Sequence, residues 1–260
     1  LLGITKDDHV IAPNITFIAT LNAIKYTGAQ PILIDVDINN WQMDLNLLEQ
    51  YLELKTEFKT TKSGTFSFDI TTNKRVRAIM PVHVLGNVGN MDRLLSISKK
   101  YCLEIIEDST EALGSTYKGK HAGTFGKLGI FSFNGNKIIS TGGGGVIVTD
   151  DEALAKKARH LTTQAKTSAM DYIHDDIGYN YRLVNVLAAI GVAQMETFNA
   201  TLQSKANMDL FYRQNLKNVG DIKFQKIPQG TCPNGWLFTF RTSKMRQLLA
   251  YLNSNGVQAR

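Results

Sequence analysis

The sequence predicts an α/β domain with a mostly parallel sheet. Strand-like runs and stretches of helical spacing alternate repeatedly between His9 and Asp108, the pattern of helices laid on both faces of such a sheet. One run, QPILIDV at 30–36, is almost entirely apolar until its closing acids Asp35 and Asp37, as expected of a strand covered on both faces. With 260 residues and 43% hydrophobic content the chain can bury a large core, and the length suits one large domain plus part of a second. The expected division is a large domain over 1–200, followed over 201–260 by a linking helix and the start of a smaller α/β domain.

Residues 9–12 (HVIA) read as a brief strand broken by Pro13. Asn14 or Thr16 can cap the helix expected over 17–26, and Gly28 can end it. After the 30–36 run, Leu45, Leu48 and Leu52 carry helical spacing. The polar, Thr-rich stretch 59–74 reads as a surface hairpin or loop. A strand is expected over 77–85, then an amphipathic helix over 91–101 with Met91, Leu94, Leu95 and Ile97 towards the core. The run LEIIE (103–107) is a strand that ends at Asp108. Residues 129–150, GIFSFNGNKIISTGGGGVIVTD, read as two strands joined by a polar connection. A charged helix follows over 151–161, and helical periodicity then runs through 183–216, the length of a helix that bridges domains. Residues 236–240 and 245–252 read as strand and helix of the smaller unit. The opening LLGI resembles the tail of a helix and the closing GVQAR the beginning of a strand, so further elements are expected beyond both ends.

The net charge is +6, but the lysines and arginines are scattered. A nucleic-acid footprint needs them clustered, so the charge suits solubility and an anionic small substrate. Cys102 and Cys232 lie far apart without a CxxC, and the five histidines show no HExxH, which excludes a disulfide framework and argues against a metal site. No apolar run reaches the length of a membrane span and the start does not read as a signal peptide. The expected location is cytoplasmic.

The chemistry gathers around residues 129–150. Four consecutive glycines, Gly142 to Gly145, mean that the backbone turns tightly or something approaches it closely. Lys137 sits between the two strands beside that bend, a candidate nucleophile by its placement; taken alone it reads as an exposed lysine. Strand alternation sets Ser132 opposite Phe131 and Phe133, where a hydroxyl can meet phosphate. Asp108 closes a strand at the sheet edge where open α/β folds bind ligands, although it can also cap the turn at Ser109 and Thr110. Glu111 follows on the same side of that turn, as a ligand or as a solvated charge. Neither a Walker A nor a GxGxxG pattern surrounds the glycines. A nucleophilic lysine, a strand-end carboxylate and an anion-binding hydroxyl together suggest pyridoxal phosphate chemistry.

Five segments carry a closer likeness: APNITFIATLNAIKYTGAQPILIDVD (12–37), PVHVLGNVGNMD (81–92), IIEDSTEALGSTYKGK (105–120), FGKLGIFSFNGNKIISTGGGGVIVTDD (125–151) and GYNYRLVNVLAAIGVAQME (178–196). In order and spacing they resemble the DegT/DnrJ/EryC1/StrS family of pyridoxal-phosphate sugar aminotransferases over most of 9–216. Within it, FNGNKIISTGGGG with LTTQAK (161–166) and YIHDDIGYNYR (172–182) is most similar to legionaminic-acid-pathway members, with perosamine-synthase-like members beside them. The resemblance implies the type I, aspartate-aminotransferase-like fold with helices on both faces of the sheet and a smaller C-terminal domain. It implies that Lys137 bonds covalently to the aldehyde of pyridoxal 5'-phosphate and later shuttles a proton. Asp108 then pairs with the pyridine nitrogen, Glu111 lies near the ring hydroxyl, Ser132 binds the phosphate and Phe17 stacks on the ring. Asn180 reaches the phosphate of a neighbouring subunit, in a homodimer with shared sites.

The implied reaction moves an amino group from L-glutamate onto a nucleotide-linked keto sugar, a UDP-linked 4-keto-6-deoxy-N-acetylhexosamine, in surface polysaccharide or glycan synthesis. Glu111 departs from the Gln or His of many members. The family's Ser-Gly-Thr phosphate-binding segment is expected before residue 1, and the rest of the small domain after residue 260. A sugar dehydratase of the same fold would carry histidine in place of Lys137. A non-catalytic homologue, acting only in binding or regulation, is the alternative of a different class.

Overall fold

The computed structural model describes residues 1–168 and 170–260. The chain runs through β1 (Asp8–Pro13), α1 (Ile18–Tyr26), β2 (Gln30–Ile34), α2 (Leu45–Lys55), the strands β3 (Thr56–Thr61) and β4 (Gly64–Asp69), and β5 (Arg75–Ile79). Next come α3 (Met91–Lys100), β6 (Glu104–Asp108), two short strands β7 (Thr116–Tyr117) and β8 (Lys120–His121), then β9 (Leu128–Ser132) and β10 (Gly145–Val148). Four more helices follow, with short strands between the last two: α4 (Glu152–Thr162), α5 (Asn185–Glu196), α6 (Phe198–Leu216), β11 (Lys223–Phe224), β12 (Thr231–Cys232), β13 (Phe240–Arg241) and α7 (Met245–Ser254).

The main sheet has the order β10-β9-β6-β5-β1-β2. All its neighbours are parallel except β10, which returns antiparallel to β9. Its two faces hold separate apolar layers, as the α/β reading requires. On one, Ile11, Val76, Ile79 and Ile105 pack with Leu48 and Leu52 of α2 and Met91, Leu94 and Ile97 of α3. On the other, Val10, Ala12, Ala78 and Ile106 meet Ile24 of α1 and Leu154 of α4. The alternation within β1 and β6 therefore sends successive side chains into different layers, the period-2 rule of a strand buried on both faces.

Several local expectations change. The 30–36 run forms an edge strand with Leu33 46% exposed, because its neighbour on one side is β1 and nothing pairs with the other side among the described residues. The first turn of α1 has no side-chain cap, since Thr16 turns its hydroxyl to Thr20 and to the Phe17 carbonyl instead. Gly28 does end that helix, at φ +84°. The 183–216 periodicity is divided at Thr197 into α5 and α6. Residues 59–74 form part of the β3–β4 hairpin, whereas 236–240 yield only the short β13, whose Phe240 and Arg241 pair with Phe224 and Lys223. Residues 1–5 and 257–260 carry no helix or strand. Among the described residues no helix is long and apolar enough to cross a membrane.

One close backbone approach fixes β9, the neighbour of the edge strand β10. A Cβ added at Gly129 would lie 1.9 Å from the Gly123 carbonyl oxygen, so the 123–126 loop lies directly on β9. Gly129→Ala is expected to push that loop off the strand and destabilise the fold by about 3 kcal/mol or more. Chemical denaturation of the variant checks it, and an unchanged midpoint would contradict the packing described.

Candidate active site

β1, β5, β6 and β9 run parallel, so their carboxyl ends share one edge of the sheet. The connections leave β1 in one direction, through α1 to β2, and leave β5 in the other, through α3 to β6. Their helices accordingly fall on opposite faces. That reversal opens a crevice at the carboxyl edge, the general ligand position of open α/β sheets. Asp108 ends β6, Ser132 ends β9, and α1 starts on the same edge just after β1.

Asp108 is held from two sides. The buried Thr20 hydroxyl donates to Oδ2 at 2.6 Å, and Thr110 donates its hydroxyl at 2.7 Å and its N–H at 3.2 Å to Oδ1. The turn-capping role read from the sequence is thus real, and it orients the carboxylate. Phe17 stands one turn before Thr20 at the start of α1, its side chain 73% exposed, so its ring is free to cover a ligand at this edge. Ser132 presents a half-buried hydroxyl that accepts the Asn134 N–H at 3.3 Å. The glycine run makes the turn into β10, with positive φ at Gly142 and Gly144, conformations open to glycine at little cost.

Lys137 lies in the turn after β9, its N–H donating to the Asn134 carbonyl at 3.1 Å. Its ammonium sits over the Trp236 ring, 4.2 Å from the centroid, and among the described residues it has no carboxylate within ion-pair distance. Burial pulls the amine below the ordinary lysine range, against the opposing charges of Glu111 and Asp108. Glu111 is pushed the other way. Burial raises its carboxyl, and Asp108 adds to that, against the Leu85 N–H at 2.7 Å and the charge of Lys137. Desolvation outweighs attraction on both partners, so both are biased towards their neutral forms. For a lysine, that bias frees a nucleophilic and basic lone pair.

Asn180 is exposed and bridged to Thr163, and lines an opening with Phe131, Gly144 and Gly145 beside the end of β9. The structure brings Asp108, Glu111, Lys137, Ser132 and the start of α1 to one edge of a single chain.

The family model for the DegT/DnrJ/EryC1/StrS aminotransferase family matches residues 1–260. The chain belongs to that family. Among curated relatives of this DegT/DnrJ/EryC1/StrS member, a putative pyridoxal phosphate-dependent aminotransferase, EpsN of Bacillus subtilis, is 38% identical over 92% of this chain and 58% of its own length. A GDP-perosamine synthase of Escherichia coli O157:H7 is also 38% identical, over 95% of this chain and 63% of its own. The crystal structure of S. venezuelae DesV in complex with a ketimine intermediate superposes with a TM-score of 0.86 at 28% identity, covering 99% of this chain and 64% of that one. The chain therefore spans about three fifths of the length of these relatives.

Three residues that support this site escaped the sequence reading, Thr20, Glu107 and Trp236, while His83 fits a satisfied polar residue at a strand end. Glu107 is fully buried on the face of β6 opposite Asp108. Its carboxylate accepts the His83 Nε2 at 2.9 Å and the N–H groups of Gly123 at 2.8 Å and of Phe125 and Gly126, both at 2.6 Å. An ionisable residue inside the apolar run LEIIE was the available signal, because such a group is buried only with partners. Thr20 and Trp236 gave none, since each fits an ordinary helix or strand pattern.

Burial alone would raise the Glu107 carboxyl, but the His83 contact and the backbone N–H donors outweigh it and hold the group below the ordinary glutamate range. A depressed carboxyl stabilises the fold fully above its unfolded pKa and loses that contribution as pH falls through its folded value. Glu107→Gln is therefore expected to cost about 3–5 kcal/mol near neutrality and to flatten the acid limb of stability below the glutamate range. Denaturation midpoints measured from neutral pH downwards test this; parallel acid limbs in the two proteins would contradict it.

Proposed function

We propose that this chain is the cofactor-binding part of a pyridoxal-phosphate sugar aminotransferase. One observation carries the reading: the Lys137 amine, without an ion pair among the described residues, faces Asp108 and Glu111 at the ligand-binding edge of the sheet. The donor set fits the cofactor. An amine biased towards its neutral form suits a covalent bond to an aldehyde. A carboxylate oriented by Thr20 and Thr110 suits a pyridinium nitrogen, and the Ser132 hydroxyl suits a phosphate.

Pyridoxal phosphate supplies an electron sink that acidifies the carbon next to the transferred nitrogen. In our reading Lys137 holds the cofactor through Nζ and, once displaced by the amino donor, moves the proton that this carbon loses. Asp108 keeps the pyridine nitrogen protonated. Glu111 sits by the ring hydroxyl, fixed by the Leu85 N–H, and Phe17 covers the exposed ring face. Asn180 serves the phosphate of a second copy in a homodimer with shared sites. That sharing is supported by α5, which exposes Val186, Ile190, Val192 and Met195 and buries no residue, since apolar helices without cover mark interfaces. The division near residue 200 into a large cofactor-binding unit and the start of a smaller one belongs to the same proposal.

The amino donor we infer is L-glutamate, and the acceptor a UDP-linked 4-keto-6-deoxy-N-acetylhexosamine of cytoplasmic surface-glycan synthesis. The relative named GDP-perosamine synthase favours a second reading, in which the sugar is GDP-linked.

With pyridoxal phosphate added, borohydride reduction is expected to fix the cofactor on Lys137, and Lys137→Ala to abolish both this adduct and its absorbance band. An adduct retained in the variant would refute the assignment. The acceptor follows from a half-reaction screen. The protein is loaded with the amino form of the cofactor, and the UDP-linked keto sugar, rather than its GDP-linked counterpart, is expected to return it to the aldehyde. Preference for the GDP-linked sugar would establish the second reading.

A further inference from the structure

The lysine turn rests on the C-terminal part of the chain. Ile138 and Ile139, immediately after Lys137, are buried in a cluster with Trp236, and Phe198 and Leu202 of α6 pack against it. Residues 230–236 reach this cluster as a strap threaded across the sheet's carboxyl edge. The Gly230 carbonyl accepts the Lys118 N–H at 2.7 Å, β12 pairs with β7, and Thr231 donates its hydroxyl to the Val88 carbonyl at 2.8 Å. Asn234, 3% exposed, donates to the carbonyls of Glu111 at 2.8 Å and Leu113 at 2.9 Å, while its N–H donates to the Ser115 hydroxyl at 3.0 Å. Its Oδ1 accepts the Trp236 N–H at 2.9 Å. The strap thus grips the backbone of Glu111 before delivering Trp236 beneath the lysine.

Trp236 then makes two different contacts with the lysine turn. Its indole N–H donates to the Asn136 carbonyl at 2.6 Å, fixing the residue before Lys137. Its ring face carries the Lys137 ammonium, 4.2 Å from the centroid, within the range of cation–π attraction. Trp236 is 6% exposed, so the ring side of both contacts is shielded, while Lys137 is half-buried. A buried indole whose N–H finds a carbonyl and whose face meets a cation is fully used. A Leu or Phe would fill the same apolar cluster but would leave the Asn136 carbonyl without this donor, and a Leu would also offer the ammonium no ring face.

We propose that Trp236 is a positioning residue for Lys137, docking the turn through its N–H and parking the ε-amine on its ring until an aldehyde takes it up. The proposal rests on the reading of Lys137 as the attachment point of the cofactor. The ring holds the amine on the Glu111 and Asp108 side of the turn, out of bulk water, and releases it without breaking an ion pair. A salt-bridged lysine would have to lose a carboxylate partner before it could react.

The contact is tested without cofactor. The chain has two tryptophans, Trp41 and Trp236, so in a Trp41→Phe background the emission reports Trp236 alone. The emission is expected to titrate with pH as Lys137 loses its proton, and Lys137→Met is expected to remove that titration. A tryptophan with a merely structural role would give the same profile in both, and identical profiles would overturn the proposal.

The consequence is tested by the rate at which pyridoxal phosphate is captured on Lys137, trapped with borohydride and mapped by mass spectrometry. Trp236→Leu loses both contacts and is expected to slow capture by about tenfold or more. Trp236→Phe keeps a ring but loses the docking hydrogen bond, and is expected to slow it by about threefold. If Trp236→Leu does not fold, the phenylalanine variant decides, and wild-type capture by a folded variant overturns the proposal. Absence of any adduct at Lys137 in the unsubstituted chain would defeat the cofactor reading instead, with the emission titration still deciding whether Trp236 holds the lysine.

Discussion

The buried carboxylate of Glu107 is the constraint on which the carboxyl edge of the sheet depends. It takes four donors from three places in the chain: His83 beyond β5, Gly123, and the Phe125–Gly126 turn that leads into β9. A charge inside an apolar sheet is tolerated only when its lone pairs are filled in this way. Three adjoining segments are thereby pinned to one point of β6, one residue before Asp108. The backbone repeats the lock, since the Asp108 carbonyl accepts the His83 N–H at 3.1 Å and its N–H donates to the Pro81 carbonyl at 2.9 Å. A functional carboxylate gains direction from its neighbour's immobility as much as from its own hydrogen bonds.

Around that point the site is assembled from two directions. The sheet supplies fixed groups, Asp108 with its Thr20 and Thr110 donors and Ser132 at the end of β9. The lysine comes from a turn with little sheet support of its own, and α6 and the 230–236 strap provide its floor. The shared field of Glu111, Asp108 and Lys137 spans both parts. Burial biases both Lys137 and Glu111 towards their neutral forms.

The sequence made the sheet-borne half of the site legible and hid the other half. Strand alternation was enough to set Ser132 on the face opposite Phe131 and Phe133, because a period of two is visible in a short apolar run, and the end of the run LEIIE placed Asp108 at a strand end. β2 was misread as doubly covered, since an apolar run does not say how many neighbours it has. The single helix expected over 183–216 became two at Thr197, a residue with no proline or glycine beside it to mark a break. Thr20 and Trp236 were invisible for a different reason. Their partners, Asp108 and Asn136, lie 88 and 100 residues away in sequence, and local patterns carry no information about contacts at that range. Asn180 was named from resemblance alone.

The strap joining Trp236 to Asn136 also bears on the order in which the protein comes into being. The two partners are 100 residues apart, so the lysine turn leaves the ribosome well before the indole that supports it. At about 5–20 residues per second, the nascent chain spends on the order of 5–20 s with β9 and β10 formed and the lysine unsupported. During this interval the amine is exposed to any reactive aldehyde in its surroundings. The floor beneath Lys137 is thus completed late in biosynthesis, when residues 230–236 arrive and thread home.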